Sequence, residues 1–284
     1  GLFTVPRPDG LQRLVVDPRP TNYAWGEPPP VHLTSGPMLA RQLQQHGRGR
    51  LRLLKCDLSD FFHCCEATDA LKKYFGLKGV PAALLQELGV DVPAECVDGR
   101  GYTYPRLTTL PMGFGPSPGI AQAAHEAVLY GREGAGSEQA RQLEPVVSPT
   151  ARWSGQRVPD VESPAASAPH ALVIDDLLLF RQVLRSSLDT GRVDDRAARG
   201  TEEGIALAPV LTRYEEVGLR TKPSKVRDYD AVQDLLGHTL DHNVLRGSCA
   251  RYSAIRADVI RISRCGRARP RDVERLVGKI THWL

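Results

Sequence analysis

Residues 171–180 read ALVIDDLLLF, the most apolar stretch of the chain, with two aspartates at its centre. Ala171 to Ile174 leads in and Leu177 to Phe180 leads out, each run short and β-prone. The segment therefore predicts two strands joined by an acidic turn. Adjacent carboxylates held between apolar strands repel each other, and a nearby cation would offset that cost. Two exposed turn aspartates would give the same pattern, so Asp175 and Asp176 need a partner elsewhere in the chain.

That partner lies in LLKCDLSDFF, residues 53–62, where Asp57 ends a second apolar, β-prone run beginning at Leu51. Asp60 follows as the N-cap of a helix. Carboxylates are the hard-oxygen ligands Mg²⁺ takes, and phosphoryl transfer at a nucleotide uses two such ions about 4 Å apart. Two or three acids must then converge from the ends of neighbouring strands. Between the two acidic segments stands LPMGFGPSPGIAQ, residues 110–122, whose glycines and prolines open a helix and allow close backbone approach to a ligand. Taken alone it could equally be a plain loop entering a helix.

Outward from these segments the elements fall in a mixed order. Phe3 to Asp17 reads as two strands about Pro8-Asp9-Gly10. Asn22 to Val31 is Pro-rich and reads as extended. Ser35 and Pro37 start a helix that Gly47 stops, and Thr68 caps one containing Leu71 and Tyr74. A helix after Pro81 places Leu84, Leu85 and Leu88 on one face, and Tyr102 to Leu110 is a strand broken by Pro105. Gly119 to Tyr130 and Ile205 to Val217 are helical, the latter ended by Gly218. Residues 131–168 and 186–204 are rich in small and polar residues and read as insertions. Ile255, Val259 and Ile262 share one helical face. A last helix from Pro270 turns Val273, Leu276, Val277, Ile280 and Leu284 inward.

Composition narrows the class. A hydrophobic fraction of 41% and a charged fraction of 25% are those of an ordinary globular protein. No apolar run reaches the roughly 18 residues of a membrane helix, and no signal peptide opens the chain. The six cysteines form no CxxC pair, which predicts reduced, mostly buried thiols and an intracellular setting. The start at Gly1 suggests a piece of a longer polypeptide. Net charge is +4, yet residues 246–284 carry ten Lys or Arg against three acids. Such a basic segment suits a polyanion, although a solvated helix face would have the same composition.

In their order, these segments resemble the reverse transcriptase family, block by block from Phe3 to about Gly278. RLVVDPRPTN (13–22) resembles the fingers block, with Arg13 at the triphosphate-binding arginine and Arg7 near a companion basic position. KCDLSDFFH resembles the first palm motif, LPMGFGPSPGIAQ the LPQG…SP…Q block, and VIDDLLLF the YxDD block. EEVGLRTKPSK resembles the motif whose lysine, here Lys225, protonates departing pyrophosphate. DLLGHTLD resembles the primer-grip hairpin at Leu236 and Gly237.

The resemblance implies an α+β, right-handed polymerase fold. Its segments would be fingers 1–30, palm 31–64, fingers 65–116, palm 117–243 and a partial thumb 244–284. It implies Asp57, Asp175 and Asp176 as ligands of two Mg²⁺ ions (Mn²⁺ as a substitute), and a dNTP site at Arg7, Arg13, Leu58, Phe62, Met112 and Gly113. Phe62, five positions after Asp57, falls on the aromatic steric gate against the ribose 2′-hydroxyl; a core aromatic is the other reading. The implied partners are a primed RNA or DNA template and dNTPs, with RNase H, integrase or endonuclease domains of a polyprotein lying elsewhere. Met112 stands where the family has Gln, and Val173 where it has an aromatic. Two alternatives remain: a decayed or domesticated fragment that only binds nucleic acid, and an RNA-dependent RNA polymerase, which should lack Phe62 and the LPxG…SP block.

Overall fold

The computed structural model describes residues 2–6, 10–36, 38–40, 49–131, 145–148, 152, 170–184, 202–223, 226, 232–236, 238–241 and 244–281. Both expected insertions lie almost wholly outside these residues, as does most of the helix expected after Pro37. Within them the fold is a mixed α/β arrangement of four small antiparallel sheets and their helices.

The first two strands, β1 (Leu2–Pro6) and β2 (Gln12–Val16), pair as the sequence predicts. Of the extended segment expected from Asn22 to Val31, the first four residues are instead the end of a helix, α1 (Arg19–Trp25), and the rest is non-helical. Pro20 sits in its first turn, where the missing N–H has no partner to lose, and Gly26 ends it at φ 71°. Trp25 then meets the ring of Tyr74 at 5.2 Å and that of Phe114 at 5.8 Å, tying α1 to later segments.

At the centre, β3 (Gly49–Asp57) leads to the short helices α2 (Phe61–Cys64) and α3 (Asp69–Lys72). Asp60 stands at the N-cap of α2 and Thr68 at that of α3, but neither side chain makes a capping bond. Tyr74 lies beyond the end of α3. The peripheral pair β4 (Val80–Pro81) and β5 (Tyr102–Thr103) brackets α4 (Ala82–Glu87), and the expected strand to Leu110 stops at Thr103. Leu84 and Leu88 are exposed, not inward, because α4 packs on a two-stranded edge with no second layer among the described residues.

Helix α5 (Ser117–Tyr130) leads to β6 (His170–Val173) and β7 (Asp176–Leu184), which complete the central sheet in the order β3-β7-β6. Alternation along β3 and β7 divides two cores. Leu54, Cys56, Leu177 and Leu179 face the larger one, with Ala121 and Leu129 of α5 and Val210 and Tyr214 of α6 (Glu202–Glu216). Leu53, Leu178 and Phe180 face a smaller one, with Leu39 and Leu240. Leu240 belongs to the sheet of β8 (Val232–Leu235), β9 (His238–Asp241) and β10 (Val244–Gly247). His238 of β9 fills the space over Gly36 so closely that no Cβ fits there.

The chain ends in α7 (Cys249–Cys265) and α8 (Pro270–Thr281), linked by Lys279 Nζ to Asp258 Oδ2 at 2.5 Å. Ile255 is buried as its spacing predicts, but Val259, Val273 and Val277 are exposed. Helices α7 and α8 pack against each other, and these three valines stay exposed along the pair. All six cysteines are free thiols, and only Cys56 is buried. The expectation of mostly buried thiols fails because Cys64 ends the short helix α2, Cys249 and Cys265 stand at the two ends of α7, and Cys96 is likewise exposed. No described helix is long and apolar enough to cross a membrane.

Candidate active site

Asp57 and Asp176 form the last pair of the β3–β7 ladder, so both point to the same face of the sheet. Asp175 lies on the two-residue turn that joins β6 to β7, and its carbonyl accepts a hydrogen bond from Leu58 N–H at 3.0 Å. The three acids predicted from separate segments are thus brought to one end of the central sheet. Asp57 is nearly buried, and Asp175 and Asp176 are half-buried. Burial, followed by the charge of Asp176, raises the pKa of Asp175, because both disfavour a further ionised carboxylate.

The turn that carries Asp175 is strained. Ile174 has φ 57°, a left-handed conformation that a β-branched residue rarely adopts and that hairpin turns usually assign to glycine. Holding it costs on the order of 1–3 kcal/mol and requires support from outside the turn. Helix α5 provides it: Gln122 Oε1 accepts the Ile174 N–H at 2.7 Å, and His125 Nδ1 lies 2.7 Å from the Ile174 carbonyl oxygen. Gln122 Nε2 also donates to the Leu172 carbonyl at 3.2 Å. The other nitrogen of His125 lies 2.6 Å from the buried Tyr214 hydroxyl. The glycine–proline block therefore serves the acids through the helix it opens. Gln122 is in the quoted motif; His125 is not, and a lone His on a helix carries no sequence signal for this role.

Two lysines complete the cluster. Lys55 Nζ lies 2.9 Å from Asp176 Oδ1. The pair satisfies the ion-pair distance but not hydrogen-bond angles, so this buried oxygen has charge compensation without an aligned donor. Lys222 Nζ is ion-paired with Asp57 Oδ1 and donates to the Leu58 carbonyl at 3.1 Å. Hard carboxylate oxygens are the ligand type that Mg²⁺ takes, and one of those here has no aligned donor. Yet no three His, Cys, Asp or Glu side chains among the described residues converge as a ready-made nest for one ion.

Of the other sequence-derived positions, Leu58 is fully buried and Phe62 is half-buried at the margin of the larger core. Met112 is exposed, and Gly113 takes φ 93°, a conformation that suits glycine. Both sit on a turn clamped by Asn22, which donates to the Gly113 carbonyl at 2.9 Å and accepts from Gly115 N–H at 2.8 Å. This clamp was hidden because residue 22 reads as part of an extended segment. Beside the turn a cleft of about 440 Å³ is lined by Asp17, Pro18, Tyr74, Lys78 and Pro111. Arg13 pairs with Val5 across β1–β2. Leu236 takes φ 48° and packs on the smaller core. Arg7, Lys225 and Gly237 lie outside the described residues.

An acid-bearing antiparallel hairpin, flanked by α5 and by the strand that ends in Asp57, gives the chain a distant reverse-transcriptase-like fold. The structure of the foamy viral protease-reverse transcriptase dRH in complex with dsDNA matches with a TM-score of 0.53 at 13% identity, over 99% of this chain and 35% of that one. The foamy viral protease-reverse transcriptase with dsDNA matches at 0.52 and 14%, over 99% and 41%. The same protein with an RNA/DNA hybrid matches at 0.50 and 13%, over 98% and 26%. The chain therefore spans well under half the length of each, and at these identities the likeness is one of fold. No protein-family model and no curated protein matches the sequence.

Proposed function

We propose that the chain is an RNA-directed DNA polymerase core, extending a primer 3′-end with deoxynucleotides on an RNA or DNA template. The observation that carries this reading is the pairing of Asp57 with Asp176 at the end of β3–β7, with Asp175 on the adjoining turn. The central sheet with α5 and α6 is the palm, residues 1–30 and 65–116 are fingers, and α7 and α8 are part of a thumb. Two Mg²⁺ ions held by Asp57, Asp175 and Asp176 would lower the charge repulsion between primer, triphosphate and leaving pyrophosphate.

The chain's own groups do the rest. Gln122 and His125 hold the Asp175 turn, and Asn22 holds the turn of Met112 and Gly113 beside the incoming nucleotide. The primer 3′-oxygen bonds to the α-phosphorus as the bond to pyrophosphate breaks. Arg13, with Arg7 nearby, orients the triphosphate; Lys225 supplies a proton to the pyrophosphate, and Leu236 and Gly237 steady the primer. The basic face of α7 and α8 grips phosphates, a contact that is sequence-tolerant and salt-sensitive. The dsDNA and RNA/DNA hybrid bound to the foamy viral proteins support these partners.

A DNA primer annealed to RNA should be extended by this chain with dNTPs and Mg²⁺, and chelation should stop it. Absence of extension under any divalent ion would overturn the catalytic reading. It would favour the alternative of a fragment that only binds nucleic acid, to which the lysine-compensated acids lend some support.

Phe62 bears on the sugar. A half-buried ring on α2, close after Asp57, can exclude a 2′-hydroxyl by volume alone. Phe62→Ala should reduce dNTP-over-rNTP discrimination by about 10- to 100-fold, the range that steric pockets reach without editing. Single-nucleotide kcat/KM for each sugar measures it, and unchanged discrimination would assign Phe62 to the core.

A further inference from the structure

The acid cluster contains a cation that the scheme above leaves without a role. After α6 the main chain from Arg220 to Lys222 runs antiparallel to the end of β3. Ser59 N–H donates to the Arg220 carbonyl at 2.7 Å, Leu58 and Thr221 form an antiparallel bridge, and Lys222 N–H donates to the Asp57 carbonyl at 2.9 Å. Backbone pairing thus brings Lys222 alongside Asp57, and its ammonium meets Asp57 Oδ1 and the Leu58 carbonyl.

The two lysines of the cluster differ in freedom. Lys55 stands on β3 beside Asp176, with its side chain only 17% exposed. Lys222 is 35% exposed while its partner Asp57 is 6% exposed, so the ammonium can swing out to water but the carboxylate cannot follow. An ammonium on a four-carbon stem is a compact, movable charge. A divalent ion brings twice that charge and requires carboxylate oxygens directly.

We propose that Lys222 is an internal counter-cation for Asp57, keeping the acid pair assembled without metal and competing with a divalent ion for the same carboxylate. This rests on the reading of Asp57 as a metal ligand. Metal entry is then an exchange in which Lys222 leaves Asp57, and apparent metal affinity is set by that competition as much as by the acids.

Mn²⁺ binding to the full chain, followed by the loss of the free-ion electron paramagnetic resonance signal, tests the exchange. Lys222→Gln should bind Mn²⁺ about 10- to 100-fold more tightly than wild type, the range expected when a unit charge a few ångströms away is removed from a partly solvated site. Lys222→Arg should stay near wild type. In EDTA, Lys222→Gln should melt below wild type, and added Mn²⁺ should raise its melting temperature by more than it raises that of wild type. In an Asp57→Asn background the Lys222→Gln effect on Mn²⁺ should vanish. Equal, measurable affinities in wild type and Lys222→Gln would overturn the proposal while leaving primer extension as the test of function. Absence of Mn²⁺ binding in both would overturn the proposal together with the ligand role of Asp57.

Discussion

Asp175→Asn and Asp57→Asn should each lower primer extension by about 10³-fold or more, the scale of losing a principal charge-stabilising group from an active site. The same two substitutions should separate in stability. Asp175 is disfavoured as a carboxylate by burial and by the like charges of Asp176 and Asp57, so removing its charge relieves the fold. Asparagine keeps the shape, and the melting temperature should hold or rise. Asp57 is the reverse case, a nearly buried carboxylate ion-paired with Lys222. Its neutralisation leaves that ammonium without its counter-charge. Because Lys222 is a third exposed and can turn to solvent, the loss should be about 1 kcal/mol, well below that for a fully buried pair.

Extension assays beside thermal melts in EDTA check both halves. Extension surviving Asp175→Asn would overturn the catalytic reading. A melting temperature unchanged by Asp57→Asn would instead mean that the Lys222 contact contributes nothing in solution. Acids that activity requires and stability resists are a common signature of functional sites, and here the contrast falls between two acids on adjoining segments, Leu58 N–H donating to the Asp175 carbonyl.

How far the sequence carried this picture depends on the range of the interaction. ALVIDDLLLF could be read as strand–turn–strand because its pattern is local, and β6 and β7 meet at Asp175 as expected. Asp57 could be placed at a strand end for the same reason. The helix at Arg19–Trp25 was concealed by prolines that suit both an extended segment and a first helical turn. Leu84 and Leu88 share a helical spacing yet are exposed among the described residues, which periodicity cannot reveal. At the site, EEVGLRTKPSK draws attention to Lys225, which lies outside the described residues, while Lys222 of the same segment stands against Asp57. The place of Lys222 depends on backbone pairing between segments far apart in sequence. His125 was illegible because its partners, Ile174 and Tyr214, come from two other elements.

Acidification should destabilise the chain through His125 by roughly 3 kcal/mol between about pH 6.5 and pH 4. The Ile174 carbonyl can only accept, so Nδ1 carries the proton of the neutral ring and Nε2 accepts from the Tyr214 hydroxyl. A second proton on the ring would place a positive charge in a fully buried site and turn the Tyr214 hydroxyl from donor to acceptor. Among the described residues, its surroundings of the Phe61 ring, Tyr214 and the neighbouring His170 offer no carboxylate to compensate. Burial accordingly pushes the His125 pKa down to about 4, while an unfolded histidine titrates near its ordinary value. Between those limits the unfolded chain binds a proton that the native chain refuses, so stability falls as pH falls, and below about pH 4 this contribution levels off. Glutamine at 125 can still donate to the Ile174 carbonyl but does not titrate. The gap in unfolding free energy between wild type and His125→Gln, measured by urea melts across that range, should therefore shift by roughly 3 kcal/mol in favour of the variant as pH falls. A gap that stays constant with pH would show that the imidazole does not titrate as a buried neutral group. The Ile174 turn would then owe its left-handed backbone to Gln122 and to the packing of α5 alone.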